Sequence, residues 1–257
     1  MKPLWLWLRA SWWLGPLLLI SLSAGLLRNG AWRWDWSWML SAVAGSTLLA
    51  CPLLAAAAVV VVLRSFPVSL QQITTVTKRG HAVLLDLALV LWVQALLAYL
   101  VILGIGIYWC LWYEADPRGL TLPWQLLTAP AALLAAVVLG LLIGRLVRSA
   151  WTVPALAVAL FLSHRVFYEL PLPELVTLEM VTGSMTNAGM RPVPVHLAAT
   201  VTVNLLLSLA AVALLHWMTY PPGGRPRRWL VLAGAAAGVL VVMMGWGWSG
   251  TYQPIPA

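Results

Sequence analysis

Side chains that could carry out catalysis are few in this sequence, and their spacing matches no catalytic motif. The chain lacks the His-Glu-x-x-His pattern of zinc hydrolases and the Gly-x-Ser-x-Gly pattern of serine hydrolases. Its two lysines, Lys2 and Lys78, do not follow a glycine, so there is no Gly-Lys-Ser/Thr loop to bind the phosphates of ATP. The cysteines, Cys51 and Cys110, lack metal-ligand spacing. We therefore expect a protein that is not an enzyme, holds no metal or other cofactor, and needs a separate motor for any energised work.

The composition identifies the kind of protein that carries these side chains. Of its 257 residues 62% are hydrophobic and 9% charged, and the mean hydropathy is +0.92. Soluble domains average about 25% charged residues, which excludes that class. We predict an all-α fold, a polytopic bundle of transmembrane helices that forms a single domain over residues 1–257. Seven apolar stretches approach the roughly 20 residues that a crossing helix needs: Trp12–Leu27, Trp38–Leu63, Ala82–Trp112, Trp124–Gly144, Ala150–Ser163, His196–Thr219 and Trp229–Trp248. The fifth is short and contains Pro154, so six spans is the alternative count.

The distribution of charge predicts the orientation of the chain. With the N-terminus in the cytoplasm, the inner segments hold 10 of the 15 Lys and Arg residues and none of the acidic ones. Cytoplasmic loops of membrane proteins are enriched in basic residues, so we predict a cytoplasmic N-terminus. The same rule accounts for the net charge of +8 without nucleic-acid binding. Tryptophans gather at the predicted span ends, as expected for side chains that prefer the headgroup layer.

Polar side chains deep within the spans are costly and are candidates for function. Gln94 and Asn204 either line a substrate path or, as we favour from sequence, hydrogen-bond between helices. Two pairs of glycines at four-residue spacing, Gly140–Gly144 and Gly234–Gly238, are predicted to allow close helix packing.

Asp86 is the acidic residue predicted to lie inside a span, about one turn from the inner end of the third. A proton relay would need partners at greater depth, and the sequence offers none. We favour an ion pair at the inner boundary with Arg79, Arg145 or Arg148.

The four histidines raise the alternative of a haem protein. His81 and His216 are predicted near the inner face, and His164 and His196 near the outer face. However, His196 and His216 are separated by 20 residues, which is about 30 Å along one helix. Both would lie among the headgroups, outside the apolar interior that a buried haem prefers, so haem binding is disfavoured.

Two segments are longer than simple connections between spans. The inner segment Arg64–His81 begins a helix at Pro67 and then places Val68, Leu70 and Ile73 at spacings of two or three residues. This pattern predicts a short amphipathic helix at the inner surface, suited to a groove on a partner protein, or a connector without a partner. The outer segment, residues 165–195, contains prolines and is predicted to form interfacial or re-entrant pieces.

The order of these segments resembles the membrane subunits of type-2 ATP-binding-cassette (ABC) exporters. The resemblance covers Lys2–Tyr220 and includes the Phe66-Pro67-Val68-Ser69 motif, the tight inner turn from Gly144 to Arg148 and the outer segment between spans five and six. Such subunits are about this size and carry no ATPase of their own. The family usually has six spans, whereas Trp229–Trp248 would add a seventh.

The resemblance implies two permease subunits, identical or paralogous, and two cytoplasmic ATPase subunits that bind ATP and Mg²⁺. Pro67, Val68, Leu70 and Ile73 would then couple this chain to the ATPase. Gln94 and His164 would line the path of a lipid-, peptide- or drug-like molecule, and Asn204 is a further candidate. The composition suggests a bacterial plasma membrane. The alternative function is a non-transporting structural or assembly subunit of a larger membrane complex.

Overall fold

The computed structural model describes residues 11–28, 30–65, 83–118, 120–169, 190–219, 227–244 and 252–254. Its helices, in chain order, are α1 Leu14–Arg28, α2 Trp36–Gly45, α3 Thr47–Ser65, α4 Val83–Trp112, α5 Trp124–Val147, α6 Thr152–Glu169, α7 Pro194–Thr219 and α8 Arg227–Met244. A 3-10 turn, Gly30–Trp34, precedes α2. Two short strands, β1 Met190–Pro192 and β2 Tyr252–Pro254, pair antiparallel.

The helices confirm a helical protein able to lie in a membrane. Four stretches are long and apolar enough to cross it: Trp36–Arg64, Val83–Trp112, Trp124–Val147 and Pro194–Met218. Leu14–Leu27 and Thr152–Ser163 are shorter apolar helices. Each of the seven stretches predicted from the sequence overlaps described helix. The largest difference in length is α6, which continues past the predicted end at Ser163 to Glu169 and so takes up the start of the outer segment.

Helix α5 lies at the centre of the bundle. It packs against α3, α7, α4, α2 and α6, whereas α8 packs against α7 at the edge. The close approach of α5 to α3 depends on glycine: a Cβ on Gly140 would meet the carbonyl oxygen of Ala55 and lie 2.9 Å from its Cα. At Gly144 the Cα of Val59 would be 3.1 Å away. The predicted small-residue packing is therefore confirmed for this pair of glycines.

The second pair, Gly234 and Gly238, behaves differently. A Cβ built on either residue meets no atom within 4 Å among the described residues. Both lie on the outward side of the peripheral helix α8. The prediction of close packing is wrong for this pair within the described chain, because the same spacing occurs here on a face that no other described helix covers.

A proline inside α5 frees a carbonyl that accepts one of two hydrogen bonds from α4. Pro130 has no N–H, so the carbonyl of Leu126, four residues earlier, loses its helical donor. The Tyr99 hydroxyl of α4 donates to that carbonyl at 3.4 Å. The indole N–H of Trp92, also on α4, donates to the Pro130 carbonyl at 3.1 Å. The bundle thus satisfies a polar group that the proline frees, as an apolar environment requires.

Helices α2 and α3 form one apolar stretch that is interrupted at Ser46. The Ser46 hydroxyl donates to the Ala42 carbonyl at 3.1 Å, while its backbone N–H turns to Val43 at 3.3 Å. Helix α1 fits closely against this interruption: a Cβ on Gly25 would meet the Ala42 carbonyl oxygen and lie 2.6 Å from the Ser46 Oγ. Glycine is therefore required at this contact.

The turn after α1 and the turn after α4 are joined. The Trp36 N–H donates to the Asp116 carbonyl at 3.2 Å, and the Asp116 N–H donates to the Trp34 carbonyl at 2.9 Å. The Asp35 carboxylate caps α2 by accepting the Trp38 N–H at 3.0 Å. Burial raises the pKa of the Asp35 carboxyl, while the hydrogen bond from the Arg118 side chain lowers the pKa of Asp116. The two backbone hydrogen bonds place both turns at the same end of the bundle.

Candidate functional site

The residues predicted to couple to a partner fall outside the part of the chain that the structure describes. Pro67, Val68, Leu70 and Ile73 follow α3, which ends at Ser65. Their role stays a prediction. His164 lies in α6, but its side chain is also outside the described set.

Gln94 fastens helices together. Its side-chain N–H donates to the Ser11 hydroxyl at 3.0 Å, and that hydroxyl and the Gln94 carbonyl oxygen are 3.2 Å apart. This pair ties α4 to the residues just before α1. Asn204 lies on α7, which packs against α5 and α8, so the structure does not bring these two candidates together.

Asn204 belongs to a stripe of buried polar side chains along α7. The stripe consists of His196, Thr200, Asn204 and Ser208, each at most 6% exposed. Residues four apart lie on one face of a helix, so the stripe extends for about 18 Å at 1.5 Å per residue. From the sequence, Asn204 was predicted as a polar residue at depth and His196 only as a disfavoured haem ligand, although the four-residue spacing is visible. We call these four residues the polar stripe.

The hydrogen bonds of the polar stripe are partly local. The Asn204 side-chain amide donates to the Thr200 carbonyl at 2.9 Å, and the Ser208 hydroxyl donates to the Asn204 carbonyl at 2.8 Å. The Thr200 hydroxyl is buried and makes no hydrogen bond to any described residue. A buried hydroxyl without a partner is costly, and it is satisfied when water or a ligand reaches it. The Thr200 hydroxyl is therefore a neutral group with which a polar molecule could form a hydrogen bond.

A second buried polar cluster, at the start of α5, is structural. Gln125 is fully buried, and its side-chain carbonyl accepts the Thr121 N–H at 2.8 Å. Its amide donates to the Ser37 hydroxyl at 2.9 Å, which joins α5 to α2. These bonds satisfy the amide at both ends, so it fastens the bundle. Gln125 is not among the site residues predicted from the sequence.

The ionisable residues form no catalytic or metal-binding cluster within the described ranges. No group of three or more His, Cys, Asp or Glu residues there could hold a metal ion. Asp86 is half-buried on α4, and Arg79, one of its three predicted partners, lies outside the described residues. The Arg148 Nε donates to the Arg145 carbonyl at 3.2 Å, and the predicted ion pair of Asp86 stays a prediction.

His196 and His216 lie on the same helix, as the sequence predicts. His196 lies near the start of α7 and His216 near its end. The His216 ring contacts Trp229 of α8 edge-on, with the ring centroids 4.4 Å apart. This contact helps to hold α8 against α7.

Comparison with known proteins does not assign the chain to a family. No protein-family model, no curated protein and no solved structure matches it. The function must therefore be argued from the residues and the geometry.

Proposed function

We propose that this chain is the permease subunit of a type-2 ABC exporter that moves a lipid-, peptide- or drug-like molecule across a bacterial plasma membrane. The observation that carries the proposal is the polar stripe, which is buried in a bundle whose core is otherwise largely apolar. Polar side chains inside a membrane are costly and commonly mark the path of a substrate. The order of the apolar stretches and the motif at Pro67 also support it.

We further propose seven spans with the N-terminus in the cytoplasm. The hydrogen bonds of Asp116 with Trp34 and Trp36 support alternate crossing, since they join the connections after the first and third predicted spans at one end. Helix α8 has 18 residues, or about 27 Å, which is close to the hydrocarbon thickness of about 30 Å. Its position at the edge of the bundle supports an accessory seventh span added to a six-span core.

The proposed path runs along α7. Asn204 and Ser208 are its central residues, and the side chains along the stripe carry no carboxylate or permanent cation, so it suits neutral polar groups. His164 is a second candidate lining residue. Gln94 is assigned to fastening because Ser11 already occupies its amide.

Energy for transport would come from a separate ATPase that binds the segment at residues 64–81. The Leu70→Asp and Ile73→Asp variants are expected to lower the ATP-coupled activity of the assembled complex about tenfold or more. Loss of a central apolar anchor from an interface costs about 2 kcal/mol, and 1.4 kcal/mol is a factor of ten. The measurement is ATP hydrolysis by the complex in nanodiscs, together with the amount of ATPase recovered with the chain.

Thr75→Asp is the matched control, because it adds the same charge on the side of the predicted helix opposite Leu70 and Ile73. It should keep the activity of the wild type. If no ATPase is recovered with the wild-type chain, or if all three variants behave alike, the exporter assignment fails. The chain would then be the non-transporting subunit. The hydrogen bond from the Asn204 amide to the Thr200 carbonyl favours this alternative, because it satisfies the amide within α7 without a substrate.

A thiol placed in the polar stripe tests the path without a known substrate. Cys51 and Cys110 are both free and are first replaced by alanine. Ser208→Cys is then expected to react with a small water-soluble thiol reagent at least about tenfold faster than Val203→Cys, because thiolates form only where water reaches. Val203 is the control, since it is equally buried on the same helix but lies outside the stripe. Equal, slow labelling of both thiols during ATP turnover would show that the stripe only fastens helices.

A further inference from the structure

Arg33 lies among aromatic rings at the end of the bundle where the turns after α1 and α4 meet. Its guanidinium carbon is 5.6 Å from the ring centroid of Trp32, 5.2 Å from that of Trp109 and 5.8 Å from that of Tyr113. Each distance is within the range of a cation–π contact. We call these three rings the aromatic box.

The aromatic box is held rigidly. The Trp32 indole N–H donates to the Leu26 carbonyl at 2.8 Å, which fixes the ring against the end of α1. Trp109 and Tyr113, one turn apart on α4 and just beyond it, stack with their centroids 6.0 Å apart. The position of the guanidinium is therefore set by the fold.

Arg33 lacks an anionic partner within the described chain. Two neighbouring carboxylates are engaged elsewhere, since Asp35 caps α2 and Asp116 pairs with Arg118 at 2.6 Å, and the exposed Glu114 makes no ion pair with Arg33. The Arg33 Nε is buried and makes no hydrogen bond to any residue that the structure describes. Ring faces attract the charge of a guanidinium but do not accept the N–H groups in its plane. Since the Nε is buried and Arg33 as a whole is partly exposed, an acceptor from outside the chain would bind the terminal nitrogens of the guanidinium.

The site lies at the depth of lipid headgroups. Its turn connects two apolar helices, Leu14–Leu27 and Trp36–Arg64. Three aromatic side chains around it are strongly exposed: Trp34 by 59%, Tyr108 by 57% and Trp112 by 68%. Exposed Trp and Tyr at span ends are characteristic of the membrane interface. The anions most abundant at that depth are the phosphates of phospholipids.

We propose that Arg33 and the aromatic box bind the phosphate group of a phospholipid. Arginine binds phosphate through two parallel N–H groups, which the two terminal nitrogens of Arg33 would supply, because its Nε is buried. The exposed face of α4 below the box, with Leu97, Val101 and Ile105, would receive an acyl chain. The proposal does not depend on the exporter assignment, because any protein of this fold would present the same site to the surrounding lipid.

The test is a lipid titration of the full chain followed by native mass spectrometry. The protein is purified in a sugar-headgroup detergent, which contains no phosphate, and phosphatidylglycerol is added. We expect the wild type to retain one phosphatidylglycerol with an apparent Kd at least about tenfold lower than that of Arg33→Gln, since that factor corresponds to loss of one charge-assisted hydrogen bond. Arg33→Lys, which keeps the charge but loses the planar donors, should fall between them.

Arg118→Gln is the matched control, because Arg118 is exposed at the same end of the bundle and already paired with Asp116. It should retain the lipid as the wild type does. Equal retention by the wild type and Arg33→Gln would overturn the proposal, and so would equal retention of a glucosyl diacylglycerol, which has acyl chains but no phosphate. Displacement of the lipid by millimolar inorganic phosphate would assign the site to free phosphate instead. Should Arg33→Gln fail to fold, the comparison of wild type with Arg33→Lys decides.

Discussion

Leucine in place of Gly140 is expected to prevent α5 from packing on α3 and to unfold the protein at a much lower temperature. A Cβ at this position would meet the backbone of Ala55 and lie 2.9 Å from the Cβ of Ala58. A backbone cannot move aside as a flexible side chain can, so the helices must separate. Overpacking in a tight core costs about 1–3 kcal/mol, and contact with backbone places this variant at or above the upper value. The measurement is the thermal unfolding midpoint in detergent.

Gly238→Leu is the control for that experiment. It introduces the same side chain in the same kind of glycine pair, but a Cβ there meets no described atom within 4 Å. It should therefore unfold near the wild-type temperature, and any change in intrinsic helix propensity is common to both variants. If Gly140→Leu unfolds at the wild-type temperature, or if Gly238→Leu is the more damaging of the two, the packing described for α3 and α5 is wrong.

Replacement of Gln125 by leucine is expected to cost about 2–4 kcal/mol of stability. The amide is fully buried, and its removal takes away both the acceptor of the Thr121 N–H and the donor to the Ser37 hydroxyl. Each buried polar group that loses its partner costs about 1–3 kcal/mol. The free energy of unfolding in denaturant is the quantity to measure.

The double variant Ser37→Ala with Gln125→Leu separates this loss from a simple change of shape. Because it removes both partners, it should be less destabilised than the sum of the single variants, with a coupling of about 1 kcal/mol or more. Gln94→Leu breaks a similar amide–serine pair that is only half-buried, so it should cost less than Gln125→Leu. Additive effects of the two single variants at Ser37 and Gln125 would contradict the assigned hydrogen bond.

The helices were predictable because their apolar stretches are long. The bounds of α5 show how accurately the ends of a helix can be predicted. Its start at Trp124 was correct, and its end at Val147 lies one turn beyond the predicted Gly144. The two glycine pairs show the limit. Their spacing is identical, but Gly140 meets another helix and Gly238 does not. Which helices become neighbours is a property of the whole bundle, and no local pattern contains it.

The candidate site was predictable in part. Asn204 was named as a polar residue at depth, and the spacing of Thr200 and Ser208 around it could have revealed the rest of the polar stripe. Gln125 could not be found in this way, because a glutamine near the end of an apolar stretch usually faces the headgroups. Only the position of Ser37 opposite shows why it is buried.

The second apolar stretch is divided at Ser46 into the 10 residues of α2 and the 19 of α3. The backbone of Ser46 is itself helical, and Trp36–Arg64 still counts as one apolar crossing. Because Gly25 of α1 packs at this point with no room for a side chain, any bend of the stretch at Ser46 would have to displace the first helix.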